Sequence, residues 1–285
     1  MRLPSLVVLL GLALATATAA GMPRAVVAAT PESIAVVADD GHTLTLWGKA
    51  PPAPKGTILL LHGRTWSARP NFDLQVAGTP RSVMDALVYA GYAAYALDQR
   101  GYGASPRDAS GWLTPERAVG DVVAAAKVIR ERHPGLPAPA VVGYSMGSVT
   151  AFFAAQQHPD AFSVLVLYGY PLDADGARLA TLEPDATEPA RAATTAEAAG
   201  EDFVVAGAAP PAVVEAYVAQ ALAADPVRVD WKNLAQFRLD PAKLTTPTLL
   251  LQGVGDGYVQ PDAVATLFNR LGTPDRSWVV LPDRD

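Results

Sequence analysis

The stretch VVGYSMGS, residues 141–148, decides how the rest of the chain is read. An apolar run, Ala140 to Val142, leads into Gly143-Tyr144-Ser145-Met146-Gly147, and helix-forming sequence follows from Val149. A strand turning sharply into a helix forces the residue at the turn into a strained backbone conformation, and flanking glycines leave room for it. The serine hydroxyl then stands clear of the backbone over a helix N-terminus. Ser145 is therefore the candidate nucleophile, with Gly143 and Gly147 as the glycines of the turn. The competing reading is an ordinary glycine-rich turn.

Outward from this turn, strand-like and helix-like segments alternate. Upstream, ESIAVVADDGHTLTLWGKA carries two β-type runs about an Asp40-Gly41 hairpin signal. TILLL (Thr57 to Leu61) is short, continuous and apolar, as a strand buried on both faces requires. TPRSVMDALVYAG (79–91) puts Val83, Met84, Leu87 and Val88 on one helical face and ends at Gly91 as a cap, and YAAYALD is the next strand. In LTPERAVGDVVAAAKVIRERH, Thr114 is the N-cap, Pro115 the first helical residue, and Val119, Val122, Val123, Ala126 and Ile129 the buried stripe. Downstream, SVTAFFAAQQ reads as a helix, FSVLVLYG and TPTLLLQG as strands, QPDAVATLFNRLG as a helix and RSWVVLP as the last strand. Such alternation specifies an α/β fold with a mostly parallel sheet flanked by helices.

The pattern breaks at Pro171 and resumes near Thr246. This divides the chain into a first core part (31–170), an insertion (171–245) and a second core part (246–285). One amphipathic helix starts in the insertion at Pro210-Pro211, with Val213, Val214, Tyr217, Val218 and Leu222 on one side. The insertion reads as a helical cap over the strand ends, where ligands bind in open α/β sheets. Its apolar face either lines a pocket or packs the cap onto the core.

Composition narrows the function. Half the residues are hydrophobic (50%) and 18% are charged, enough apolar material for a large core. A net charge of −6 argues against a nucleic-acid partner, which needs a basic face. The chain has no cysteine, which excludes disulfides and thiol catalysis, and its four scattered histidines argue against a zinc site. No cofactor is expected. Arg2, the apolar LVVLLGLALA and the small-residue TATAAG read as a cleaved signal peptide over residues 1–20, too short to span a bilayer reliably. The mature protein is expected to be exported, periplasmic or secreted, with no stable membrane anchor.

An acyl-transfer site needs donors for an oxyanion, usually backbone N–H groups. The run LLLHGR ends the Thr57–Leu61 strand in His62-Gly63-Arg64, and the N–H groups of Arg64 and Met146 are the two candidate donors. His62 reads as a structural residue of that turn. Arg64 and Trp66 flank it and could meet substrate, although an arginine there is ordinarily solvated.

With these residues in place the chain resembles the α/β-hydrolase family from about Ile34 onward, excluding most of the insertion. LDQRGYGAS (Leu97 to Ser105) adds to the resemblance, matching a D-x-R-G-x-G-x-S stretch after the family's fourth strand. It is not a dinucleotide loop, because Pro106 stands where a third glycine is needed. The resemblance implies an eight-stranded sheet and places the catalytic acid after the seventh strand, at Asp256 in LLLQGVGDGYVQPD, where it would orient a histidine. Asp173, after the sixth strand, is the alternative acid, and a Gly-Asp-Gly turn the structural reading of Asp256.

The family's histidine would follow the eighth strand, but the sequence reaches Asp285 within SWVVLPDRD, before that histidine and before the helix that would normally follow. His42, His62, His133 and His158 all lie elsewhere. The expectation is a fragment whose histidine lies just beyond Asp285. The expected function is a Ser-Asp-His serine hydrolase acting on a small-molecule ester, or less readily an amide or thioester. The alternatives are a non-catalytic ligand-binding pseudohydrolase, a peptidase similar to proline iminopeptidases, and an enzyme similar to cofactor-free haloperoxidases. The DQRG run favours the peptidase, while HGRTW in place of HGGPG opposes it. A dehalogenase is excluded, since it would carry aspartate at position 145.

Overall fold

The computed structural model describes residues 30–183 and 185–282. The segment read as a signal peptide lies outside the described residues. Eight strands build the central sheet: β1 (Glu32–Val37), β2 (Thr43–Lys49), β3 (Thr57–Leu61), β4 (Ala93–Asp98), β5 (Ala140–Tyr144), β6 (Val164–Tyr168), β7 (Thr248–Gly253) and β8 (Arg276–Leu281). Their order is β1-β2-β4-β3-β5-β6-β7-β8. The β1–β2 hairpin and the β2–β4 pair are antiparallel, and every pairing from β4 to β8 is parallel.

The apolar runs explain the layering. Successive side chains of a strand point to opposite faces. Leu59, Leu61, Val141, Leu165 and Leu167 therefore pack with helices α3 (Pro115–Arg132) and α4 (Met146–Gln157) on one face. Ile58, Leu60, Val142, Val164 and Val166 pack with α1 (Ala68–Phe72) and α2 (Val83–Tyr89) on the other. Thr114 caps α3, accepting the Arg117 N–H at 3.4 Å, with Pro115 in the first turn. The helix read from residue 79 starts later. Thr79–Pro80 pairs with Gln75–Val76 as a short hairpin, and Ser82 caps α2 by accepting the Asp85 N–H at 3.0 Å.

The insertion contains 3-10 turns, α5 (Ala196–Gly200) and α6 (Pro211–Ala224). Val213, Tyr217 and Ala221 of α6 pack with Trp66 and Leu74, so this face of the helix is packing surface. Asp225, closing α6, accepts the N–H groups of Ser67 (2.7 Å) and Gly103 (2.8 Å). Asp230–Trp231 then pairs with Trp112–Leu113. The insertion thus rests against the loops that follow β3 and β4. After it come β7, α7 (Pro261–Arg270) and β8. Among the described residues, no helix is long and apolar enough to cross a membrane.

Candidate active site

β5 ends at Tyr144 and α4 begins at Met146, leaving Ser145 alone to make the turn at φ 52° and ψ −122°. A non-glycine residue in this region carries strain of roughly 1–3 kcal/mol and persists only where its surroundings dictate it. Here the Ser145 N–H donates to the Tyr168 carbonyl at 2.9 Å, and its carbonyl accepts from the Ser148 N–H (2.8 Å) and Oγ (2.5 Å). The glycines answer to packing. A Cβ at Gly143 would collide with the Gly147 carbonyl and lie 2.5 Å from the Ser148 Cα. One at Gly147 would collide with the carbonyl oxygens of Leu61 and His62. The G-x-S-x-G spacing is the spacing at which β5, α4 and the end of β3 meet.

The turn after β3 runs directly beside the serine, since a Cβ on Gly63 would sit 3.0 Å from the Ser145 Cβ. Arg64, whose amide is one candidate donor, is the next residue after Gly63, and Met146, whose amide is the other, follows Ser145 directly. The Met146 N–H belongs to the first turn of α4, where helix geometry leaves it without an intrahelical acceptor. Trp66 is buried beneath the insertion rather than presented to a ligand. Arg64 is half-buried, and burial lowers its pKa from the ordinary arginine value.

Asp256 lies in the loop after β7, with Oδ1 accepting the Tyr258 N–H at 2.9 Å. Its Oδ2 is 3.4 Å from where a Gly169 Cβ would sit, and the Tyr144 ring is 3.7 Å from the same point. Gly169 follows Tyr168, whose carbonyl holds Ser145. Asp256 and Ser145 therefore share one end of the sheet, separated by the single strand β6. The alternative acid, Asp173, starts the insertion, its carbonyl accepting the Gly176 N–H (3.0 Å) and the Tyr170 hydroxyl (3.5 Å).

The histidines are all engaged elsewhere or exposed. His62 is fully buried, which lowers its pKa to about 4. Its Nδ1 donates to the Gly63 carbonyl (2.8 Å) and its Nε2 accepts the Gln99 N–H (3.1 Å), leaving no lone pair for a serine proton. His133 is hydrogen-bonded to the Tyr95 hydroxyl at 2.6 Å, His42 to the Pro106 carbonyl at 3.0 Å, and His158 is exposed at the end of α4.

Sequence reasoning treated the DQRGYGAS stretch only as a pattern and missed what its residues do. The Asp98 carboxylate accepts N–H groups from Ala68 (2.9 Å), Ala104 (3.0 Å) and the Trp47 indole (2.8 Å). Burial nevertheless raises its pKa to about 6. Gln99 braces His62 through both backbone and side chain. Arg100 is buried and ion-paired to Asp40, Asp108 and Asp121 at 2.6–2.8 Å. Asp98 and Gln99 hold the segment after β3 in place, and Arg100 ties their loop to the β1–β2 hairpin and α3. The only hint in the sequence was the density of charge in a stretch with too few exposed positions to solvate it.

Comparison with known proteins agrees with the fold. Residues 52–283 match the family described as serine aminopeptidase, S33. A monoacylglycerol lipase of Mycolicibacterium smegmatis is 31% identical over 127 residues, 42% of this chain and 40% of that protein. Among solved structures, a thermophilic esterase from Thermogutta terrifontis, determined with malate bound, superposes with a TM-score of 0.62 at 19% identity, covering 89% of this chain and 90% of that one. A monoacylglycerol lipase from Paleococcus ferrophilus gives 0.61 at 19% identity, covering 84% and 88%. With its strand order, the strained serine between β5 and α4 and a family match over most of its length, this chain belongs to the serine aminopeptidase S33 family of α/β hydrolases.

Proposed function

We propose that the protein is a serine hydrolase of carboxylic esters. Ser145 attacks the ester carbonyl carbon, and the oxyanion that forms is received by the N–H groups of Arg64 and Met146. Collapse of that intermediate expels the alcohol and leaves an acyl-serine, which water then cleaves. Asp256 orients the histidine that accepts the serine proton and returns it to the leaving alcohol. None of the four histidines of the sequence fits that role, so the base is a histidine other than these four. General-base assistance is typically worth about 10²–10⁴-fold, so its contribution is a large part of the rate. Residues 171–245 act as a cap over the site, and the N-terminal segment directs export.

The backbone of Ser145 carries this reading: a strained non-glycine residue held by three hydrogen bonds where a relaxed turn would serve structure equally well. The ester preference is supported by the lipase and esterase among its relatives. The test is hydrolysis of 4-nitrophenyl butyrate by the full-length native chain and its Ser145→Ala variant. Loss of turnover to the background rate in the variant is expected, and turnover near that of the wild type would overturn the mechanism. Faster release from aminoacyl anilides than from esters would transfer the assignment to a peptidase.

A further inference from the structure

The two arginine and lysine side chains that are buried among the described residues are fully paired. Arg100 has its three aspartates, and Lys49 has Asp73 at 2.6 Å and Asp85 at 2.7 Å. That is the arrangement a structural charge needs, because taking a cation out of water costs several kcal/mol unless a counter-charge compensates.

Arg64 departs from this arrangement. Its Nε is shielded from solvent without a hydrogen-bond acceptor, and among the described residues its guanidinium makes no ion pair. The charged groups around it are Arg228, which repels it, and Asp230, which attracts it from beyond ion-pairing distance. Asp230 is itself engaged, accepting the Arg191 N–H at 3.1 Å. The nearby Tyr102 hydroxyl is taken by the Trp231 indole N–H at 3.0 Å. Arg64 also sits on a constrained stretch. Gly63 before it touches Ser145, and Thr65 after it has φ 85°, so the position of this side chain is imposed by the turn.

A guanidinium offers planar paired donors that match a carboxylate. This one extends from the residue after Gly63, which touches Ser145, and is surrounded by Tyr102 of the loop after β4 and by Arg228 and Asp230 of the returning arm of the insertion. We propose that Arg64 is the subsite for a carboxylate on the substrate, which makes the preferred substrates carboxylate-bearing esters such as dicarboxylic hemiesters. The assignment rests on the ester-hydrolase reading only for the identity of the scissile bond. The anion site itself stands on a half-buried guanidinium that has no ion pair among the described residues and whose Nε is shielded without an acceptor.

Two measurements on the full-length native chain separate the claims. In calorimetric titration, glutarate is expected to bind at least tenfold more tightly than the uncharged glutaramide. That preference should vanish in Arg64→Gln and survive in part in Arg64→Lys, both compared at equal thermal stability. In kinetics, the ratio of kcat/KM for the mono-4-nitrophenyl ester of glutaric acid to that for 4-nitrophenyl valerate should fall tenfold or more in Arg64→Gln, chiefly through KM. Equal binding of glutarate and glutaramide, or a preference that outlives Arg64→Gln, overturns the subsite. Arg64-dependent glutarate binding without hydrolysis of any ester would uphold the subsite and overturn the hydrolase reading. Ester hydrolysis with no charge preference would do the reverse.

Discussion

At residue 145 the backbone and the side chain answer to different demands. The hydroxyl has no part in the three hydrogen bonds that fix the residue, and the positive φ is tolerated best by glycine. Ser145→Gly is therefore expected to raise stability by about 1–2 kcal/mol while removing the nucleophile, read as a higher denaturant midpoint at unchanged m-value. A lower midpoint would mean that the turn is not strained. The glycines beside it were legible in the sequence because their constraint is local: β5, α4 and the end of β3 meet at a fixed spacing. Arg64 was not. Its surroundings come from Tyr102 and residues 228–230, and no local pattern reveals that a side chain will be enclosed by segments so far along the chain.

The loop following β4 shows what one element contributes to another. Arg100 joins the β1–β2 hairpin through Asp40, its own loop through Asp108, and α3 through Asp121. Removing it strands these carboxylates, one of them wholly buried. Arg100→Ala should cost about 3–5 kcal/mol, measured by equilibrium unfolding, whereas an effect under 1 kcal/mol would show the network to be dispensable. Element identity was largely readable. Thr114 and Pro115 announce α3 because capping chemistry is local. The start of α2 was misread because Thr79–Pro80 finds a strand partner in Gln75–Val76, and pairing overrides an apolar period.

Over the whole molecule, the insertion meets the core where two carboxylates are buried. Burial raises the pKa of Asp98 to about 6, and it also raises that of Asp225, against the N–H bonds from Gly103 and Ser67. A carboxylate with a raised folded-state value holds its proton more firmly in the native protein. The stability it adds is complete below its ordinary value of 3.8 and is lost as pH rises through about 6. Buried His62, lowered from 6.5 to about 4, works in the opposite sense: its contribution is complete above 6.5 and is lost as pH falls toward 4. The wild-type profile should be nearly flat where the two overlap. The difference between wild type and Asp98→Asn should shrink by about 2 kcal/mol from pH 4 to pH 7 in chemical unfolding, and a constant difference would refute the shift. The parallel core was legible from its continuous apolar runs. The seating of the insertion was not, because Asp225 reaches Ser67 and Gly103 across more than a hundred residues of sequence.

The central claim is that Ser145 is a nucleophile, and covalent capture tests it most directly. The full-length native chain would be treated with a fluorophosphonate ester and its peptides sequenced by tandem mass spectrometry. The account predicts one phosphonyl adduct, located on Ser145 and absent from Ser145→Ala. No adduct, or one on a different residue, would contradict it.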